Sequence, residues 1–236
     1  MSALMFTAAF ALASGQSFAA YNGFLSEDEA PSVITLVEPP PADDSSIYQN
    51  DVEKFKAGQA LKDTPRWRVA ARDAVTTSDD DIAAYFSPAM GIEISKNKTP
   101  EIYRLISGTI TDVLKRGTSK VKKYYFRPRP FLKLKEHTCR LADEADYANE
   151  SSYPSGHATV GWGIALLLSE INPERADRIL EKGRDYGNSR VICGYHWNSD
   201  VQTGRFVASI MLNALHANKA FGEQMVKAKA EFDALK

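Results

Sequence analysis

The stretch from Ser155 to Ile171 limits the folds open to this chain more than any other part of it. Its middle, Gly161-Trp162-Gly163-Ile164-Ala165-Leu166-Leu167-Leu168, is apolar nearly all round a helix and leaves no face for water. Such a helix is stable at the centre of a domain, with other elements covering its whole circumference. The rest of the chain supplies helices to do so. From about Ser46, apolar residues recur at helical spacing through Tyr48, Val52, Phe55 and Leu61, then Trp67, Ala70, Ala71 and Ala74, which predicts at least two helices. Thr99-Pro100-Glu101 reads as a helix start, with Ile102, Leu105, Ile106, Ile110, Val113 and Leu114 on one face. That helix is expected to run to about Tyr125, because Pro128 and Pro130 disfavour the α conformation before them. Asn172-Pro173-Glu174 begins another, toward Tyr186, and a last pair covers about Trp197 to Ala217 and Phe221 to Leu235. No segment alternates as a strand would, so the expectation is an all-α single-domain helical bundle over residues 46–236 with a central buried helix.

The first charged side chain is Glu27, and Ala3 to Ala13 form a weakly polar to apolar run, followed by Ser14-Gly15-Gln16 and the small residues of Ser17-x-Ala19. This reads as a secretory signal peptide over residues 1–19, which places the protein in the periplasm. The basic opening typical of such leaders is absent, and a buried N-terminal helix is the other reading. Residues 20–45 contain Glu38-Pro39-Pro40-Pro41-Ala42-Asp43-Asp44, an extended, acidic, proline-stiffened connector. A net charge of −1 gives no global field to hold nucleic acid, so any anion site must be local. No series of long apolar segments suggests membrane embedding. The two cysteines, Cys139 and Cys193, would meet an oxidising compartment after export and are expected to pair, the other reading being two small buried thiols.

Three clusters carry chemistry: Lys122-Lys123-Tyr124-Tyr125-Phe126-Arg127-Pro128-Arg129-Pro130; Tyr153-Pro154-Ser155-Gly156-His157; and Ser189-Arg190 through His196 to Asp200. Each alone has a bland reading, as a solvated turn, a helix entrance or a surface pair. Together they resemble the three-part signature of the phosphatidic acid phosphatase type 2 (PAP2) superfamily. That signature reads Lys, six residues, Arg-Pro; Pro-Ser-Gly-His; and Ser-Arg, five residues, His, three residues, Asp. The string from Ser189 to Asp200, with the leader and the chain length, is similar more narrowly to the class A bacterial non-specific acid phosphatases. Lys120 with Arg127-Pro128 also meets the first spacing, and Lys122 with Arg129 is preferred because Phe131 follows Pro130.

The resemblance implies a helical bundle of the PAP2/vanadium haloperoxidase type and hydrolysis of phosphomonoesters through a phosphohistidine, with no metal or other cofactor. On this reading Lys122, Arg129 and Arg190 grip the phosphate. The backbone N–H groups of Ser155 and Gly156 add the helix N-terminus. His196 is the nucleophile, Asp200 accepts its other ring N–H, and His157 is the general acid and then the base. His137 and His216 match no motif. Small phosphate esters are the implied partners, phosphate and vanadate the implied inhibitors, and a homo-oligomer the implied assembly. A haloperoxidase would be a longer chain. An apyrase preferring nucleoside tri- and diphosphates stays open, and a non-catalytic phosphate-binding protein would need neither an acid histidine nor a His-Asp pair.

Overall fold

The protein, described from a computed structural model over residues 22–236, has no β-strand among those residues. The expected leader over residues 1–19 lies outside the described residues. The helices are α1 (Ser46–Gln59), α2 (Pro65–Asp73), α3 (Asp79–Met90), α4 (Pro100–Thr111), α5 (Ser119–Tyr124), α6 (Pro130–Leu134), α7 (Glu144–Tyr147), α8 (Gly156–Ile171), α9 (Ala176–Ile192), α10 (Asn198–Ala217) and α11 (Lys219–Asp233). Their starts follow from the sequence: Ser45, Thr64, Ser78, Ser155 and Asn218 each accept a hydrogen bond from a first-turn N–H. Pro65, Pro100 and Pro130 stand where a helix needs no N–H. None of the described helices is long and apolar enough to cross a membrane.

α8 is the central helix. Ile164, Ala165, Leu167 and Leu168 are fully buried, and α9, α10, α4 and α3 pack around them. Each large aliphatic side chain so buried contributes roughly 2 kcal/mol. The closest neighbour is α9, and glycines set that distance. A Cβ built on Gly183 would lie 2.5 Å from the Gly161 carbonyl oxygen and 2.4 Å from the Ala165 Cβ. Neither residue can be larger without moving one helix off the other.

The helix expected from residue 99 to about Tyr125 is one continuous rod, but Asp112–Thr118 between α4 and α5 is π-helical. Widening there lets the buried Asp112 carboxylate accept the backbone N–H groups of Phe24 and Leu25 at 2.7 and 3.4 Å. Residues 22–45 are therefore more than a connector. Leu25, Val33 and Val37 are buried in the main core, Phe24 packs edge-on to Phe221, and the Glu38 carbonyl accepts from the Tyr153 hydroxyl.

Three helices were not anticipated. α3 is announced by a capping box, Ser78 with Asp81, and ended by Gly91 in the left-handed conformation. α6 and α7 are too short to show periodicity. α9 also runs past Tyr186 to Ile192 and stops before Gly194, whose φ of 84° only glycine adopts readily. Cys139 and Cys193 form a disulfide with a Cα–Cα separation of 4.7 Å, tying the end of α9 to the chain that follows α6.

Gly183→Ala is expected to cost about 2–3 kcal/mol, since the added methyl meets backbone rather than a movable side chain. A urea midpoint indistinguishable from wild type would contradict the glycine contact.

Candidate active site

All three clusters meet at the N-terminal end of α8, and hydrogen bonds between them define the meeting point. Ser155 opens α8; its Oγ accepts from the Ala158 N–H and its own N–H donates to the Asp200 carbonyl at 3.0 Å. That second bond corrects the expectation for Ser155: its N–H is spent on α10 and is not free for an anion. The first helical residues, Gly156 and His157, are the ones whose N–H groups lack an intrahelical acceptor.

His196 lies between the end of α9 and the start of α10 and is 2% exposed. Its Nδ1 is 2.7 Å from the Ser152 carbonyl oxygen and 3.5 Å from Asp200 Oδ2. A carbonyl only accepts, so Nδ1 carries the proton and Nε2 is left with its lone pair. The expected bond from the ring to Asp200 is thus made to Ser152, with Asp200 close behind it. Nε2 stands 3.2 Å from Arg129 Nη1, which also donates to the Tyr195 carbonyl at 3.1 Å. Two loop carbonyls therefore aim the ring and the guanidinium at each other.

His157, on the first turn of α8, is stacked on Tyr186 with ring centroids 5.4 Å apart. Its Nε2 is 3.3 Å from the Ala74 carbonyl oxygen, which Arg190 Nη1 also approaches, at 3.5 Å. Beside His157 an apolar cavity of about 130 Å³ is lined by Thr77, Ile82, Leu114, Val160 and Tyr186. It has the polarity of an organic group and not of a phosphate.

Arg129 and Arg190 are both at most 2% exposed, and Lys122 Nζ donates to the Ser151 carbonyl. Arg129 Nε, Arg190 Nε and Arg190 Nη2 are buried without a hydrogen-bond partner. Buried, unpaired guanidinium N–H groups are costly, and an anion is the group that relieves them. The nearby carboxylates do not fill the gap: Glu150 is 3.7 Å from Arg129 Nη2 and mostly exposed, and Asp200 is held elsewhere. Crowding shows in the proton affinities. Burial and the Arg129 charge push the Lys122 ammonium down to about 7. Burial, then Arg190 at His157 and Arg129 at His196, holds both imidazoles well below the ordinary 6.5.

The alternative first spacing leads elsewhere. Lys120 pairs with Glu27 at 2.8 Å on the surface, and Arg127 is locked between Asp51 and Asp200 at 2.7 and 2.5 Å. Lys122 and Arg129 are the members at the cluster. His137 and His216 are remote, each beside a glutamate, Glu144 and Glu170. Asp51, Ala74, Ser152 and Ser199 escaped the sequence reading; Ala74 and Ser152 act through backbone carbonyls, which leave no trace in residue type. Asp51 alone carried a signal, one helical turn before the buried Phe55. Among the described residues no group of three or more His, Cys, Asp or Glu side chains could hold a metal ion.

The sequence pattern of the PAP2 superfamily matches residues 102–220. A non-specific acid phosphatase of Providencia stuartii is 42% identical over 213 residues, 90% of this chain and 86% of its own length. A non-specific acid phosphatase of Salmonella typhimurium is 40% identical over 89% of this chain and 84% of its own length. An acid phosphatase of Zymomonas mobilis is 33% identical over 85% and 75%.

Both histidines have depressed proton affinity, so the stability present above pH 6.5 is lost in the empty protein as pH falls from there toward their folded values. A bound phosphate reverses this at His157, favouring its charged form and that of Lys122. Inorganic phosphate at about 100 times its Kd should add roughly 2.7 kcal/mol, with net proton uptake near pH 7. Calorimetry in buffers of different ionisation enthalpy measures that uptake; net release would refute the account.

Proposed function

Because the chain belongs to the PAP2 superfamily, we propose that it is an acid phosphatase that hydrolyses phosphomonoesters, nucleotides among them, through a phosphohistidine on His196. The observation that carries the proposal is the unprotonated His196 Nε2, held 3.2 Å from Arg129 Nη1, next to buried guanidinium N–H groups that lack an acceptor. A phosphoryl group bound by Lys122, Arg129, Arg190 and the N–H groups of Gly156 and His157 would present phosphorus to that lone pair.

In the first step Nε2 bonds to phosphorus and the phosphorus–oxygen bond to the leaving group breaks. The leaving oxygen takes a proton from His157, and the phosphate's own charge is what raises that histidine's proton affinity enough to load it. Since the Ala74 carbonyl holds Nε2–H, Nδ1 is the atom that delivers the proton. In the second step water attacks phosphorus, His157 takes the water's proton, and Nε2 leaves with its lone pair restored. Charge stabilisation comes from three protein cations, which supports a reaction that runs without metal. Vanadate, which adopts the five-coordinate geometry of the transition state, should inhibit. Export to the periplasm is supported by the Cys139–Cys193 bond, a linkage that persists in oxidising compartments.

Acid-quench trapping with phosphate-labelled substrate should label the wild type and not His196→Ala. His157→Ala should lose on the order of 10²-fold or more with alkyl phosphates and much less with p-nitrophenyl phosphate, whose leaving group needs no proton. Label retained on His196→Ala would remove it as nucleophile, and activity abolished by excess chelator would end metal independence.

A further inference from the structure

We propose that Arg127 is a positioning residue for the chemistry at His196, keeping the Asp200 carboxylate ionised and turned toward the ring from a buried cluster in which Asp51 competes for its charge. The inference rests on the reading of His196 as nucleophile. Arg127 is 6% exposed. Its Nη1 donates to Asp200 Oδ1 at 2.5 Å and to Ser199 Oγ at 2.8 Å, and its Nη2 donates to Asp51 Oδ2 at 2.7 Å. Ser199 closes the cluster, with its N–H and hydroxyl both on the Asp51 carboxylate, at 2.7 and 2.5 Å. The guanidinium also lies 5.2 Å above the Trp197 ring.

This geometry divides the Asp200 carboxylate between two jobs. Oδ1 is fixed by Arg127, which leaves Oδ2 to accept the Trp197 N–H at 2.9 Å and to stand 3.5 Å from His196 Nδ1. The other acceptor of that ring depends on Arg127 as well, since the Arg127 carbonyl accepts the Ser152 N–H at 2.9 Å and the Ser152 carbonyl accepts from His196. When Nε2 takes the phosphoryl group, positive charge spreads to Nδ1, and only an ionised Asp200 balances it.

Whether Asp200 is ionised depends on every charge around it. Arg127 faces it directly, Lys122 and Arg129 act from the cluster side, and His196 and Tyr153 adjoin it. Asp51 opposes them from α1 by sharing Arg127. Burial raises the Asp200 carboxyl above the ordinary range, with Arg127 the leading pull in the other direction. Removing that cation lets Asp200 protonate at higher pH, where the reaction then fails.

The test is the pH profile of phosphoenzyme formation in the complete protein, read beside the inhibition constant of inorganic phosphate. Arg127→Gln should move the acid limb up by about one pH unit or more. Its phosphate inhibition constant should change less than about threefold, because Arg127 is not part of the grip. Arg127→Lys, which keeps a charge, should recover part of the shift. An unmoved acid limb in Arg127→Gln, or phosphate binding weakened in step with the rate, overturns the proposal. Should Arg127→Gln fail to fold, Asp51→Asn decides: releasing Arg127 from its second carboxylate should move the limb to lower pH, and a limb at or above the wild-type position overturns the inference. Absence of trapped label on the wild type would instead count against His196 as nucleophile, so the two failures are told apart.

Discussion

Mutual repulsion among Lys122, Arg129 and Arg190 is the constraint around which this structure is arranged. Each cation loses water on burial, at a cost of several kcal/mol per ion, and each raises the cost for the others. Arg129 is held down to about 10 and Lys122 to about 7 by that combination. A loose scaffold would let the three move apart and hydrate. The scaffold resists at several points at once: glycine contact fixes α8 against α9, a disulfide fastens the end of α9, and carbonyls of residues 151, 74 and 195 take one N–H from each cation. The binding free energy of an anion is thus prepared by the fold before any ligand arrives.

The same constraint explains the two histidines. Among unpaired cations an imidazole stays neutral, which suits a nucleophile and is wrong for an acid. In the mechanism proposed above, His157 becomes an acid only when a dianion enters, so proton delivery would be tied to a loaded site. The empty pocket would then be poised for attack but not for proton transfer.

Much of this was legible in the sequence because it rests on residue type and spacing. The apolar circumference of α8 and the proline that starts α4, with the one-sided apolar face behind it, are both written in residue type and spacing. The cluster residues declared themselves by spacing, and their convergence is plain once α8, α9 and α10 pack together. What was not legible is carried by backbone: the Ser152 carbonyl that orients His196, the Ser155 N–H given to Asp200, and the widened turn at Asp112–Thr118. Arg127 shows a different limit. Its spacing also met the first part of the pattern, and its two carboxylate partners, Asp51, 76 residues earlier, and Asp200, reveal that its charge is already committed.

The Ala74 carbonyl oxygen is shared by Arg190 and His157, at 3.5 and 3.3 Å. An acceptor pulled by two donors serves neither fully. In the proposed mechanism, a phosphate that draws the guanidinium away would leave the oxygen's electron density to the imidazole, which would then hold its second proton more firmly. One backbone atom at the end of a short helix would in this way make filling the pocket and arming the acid a single event.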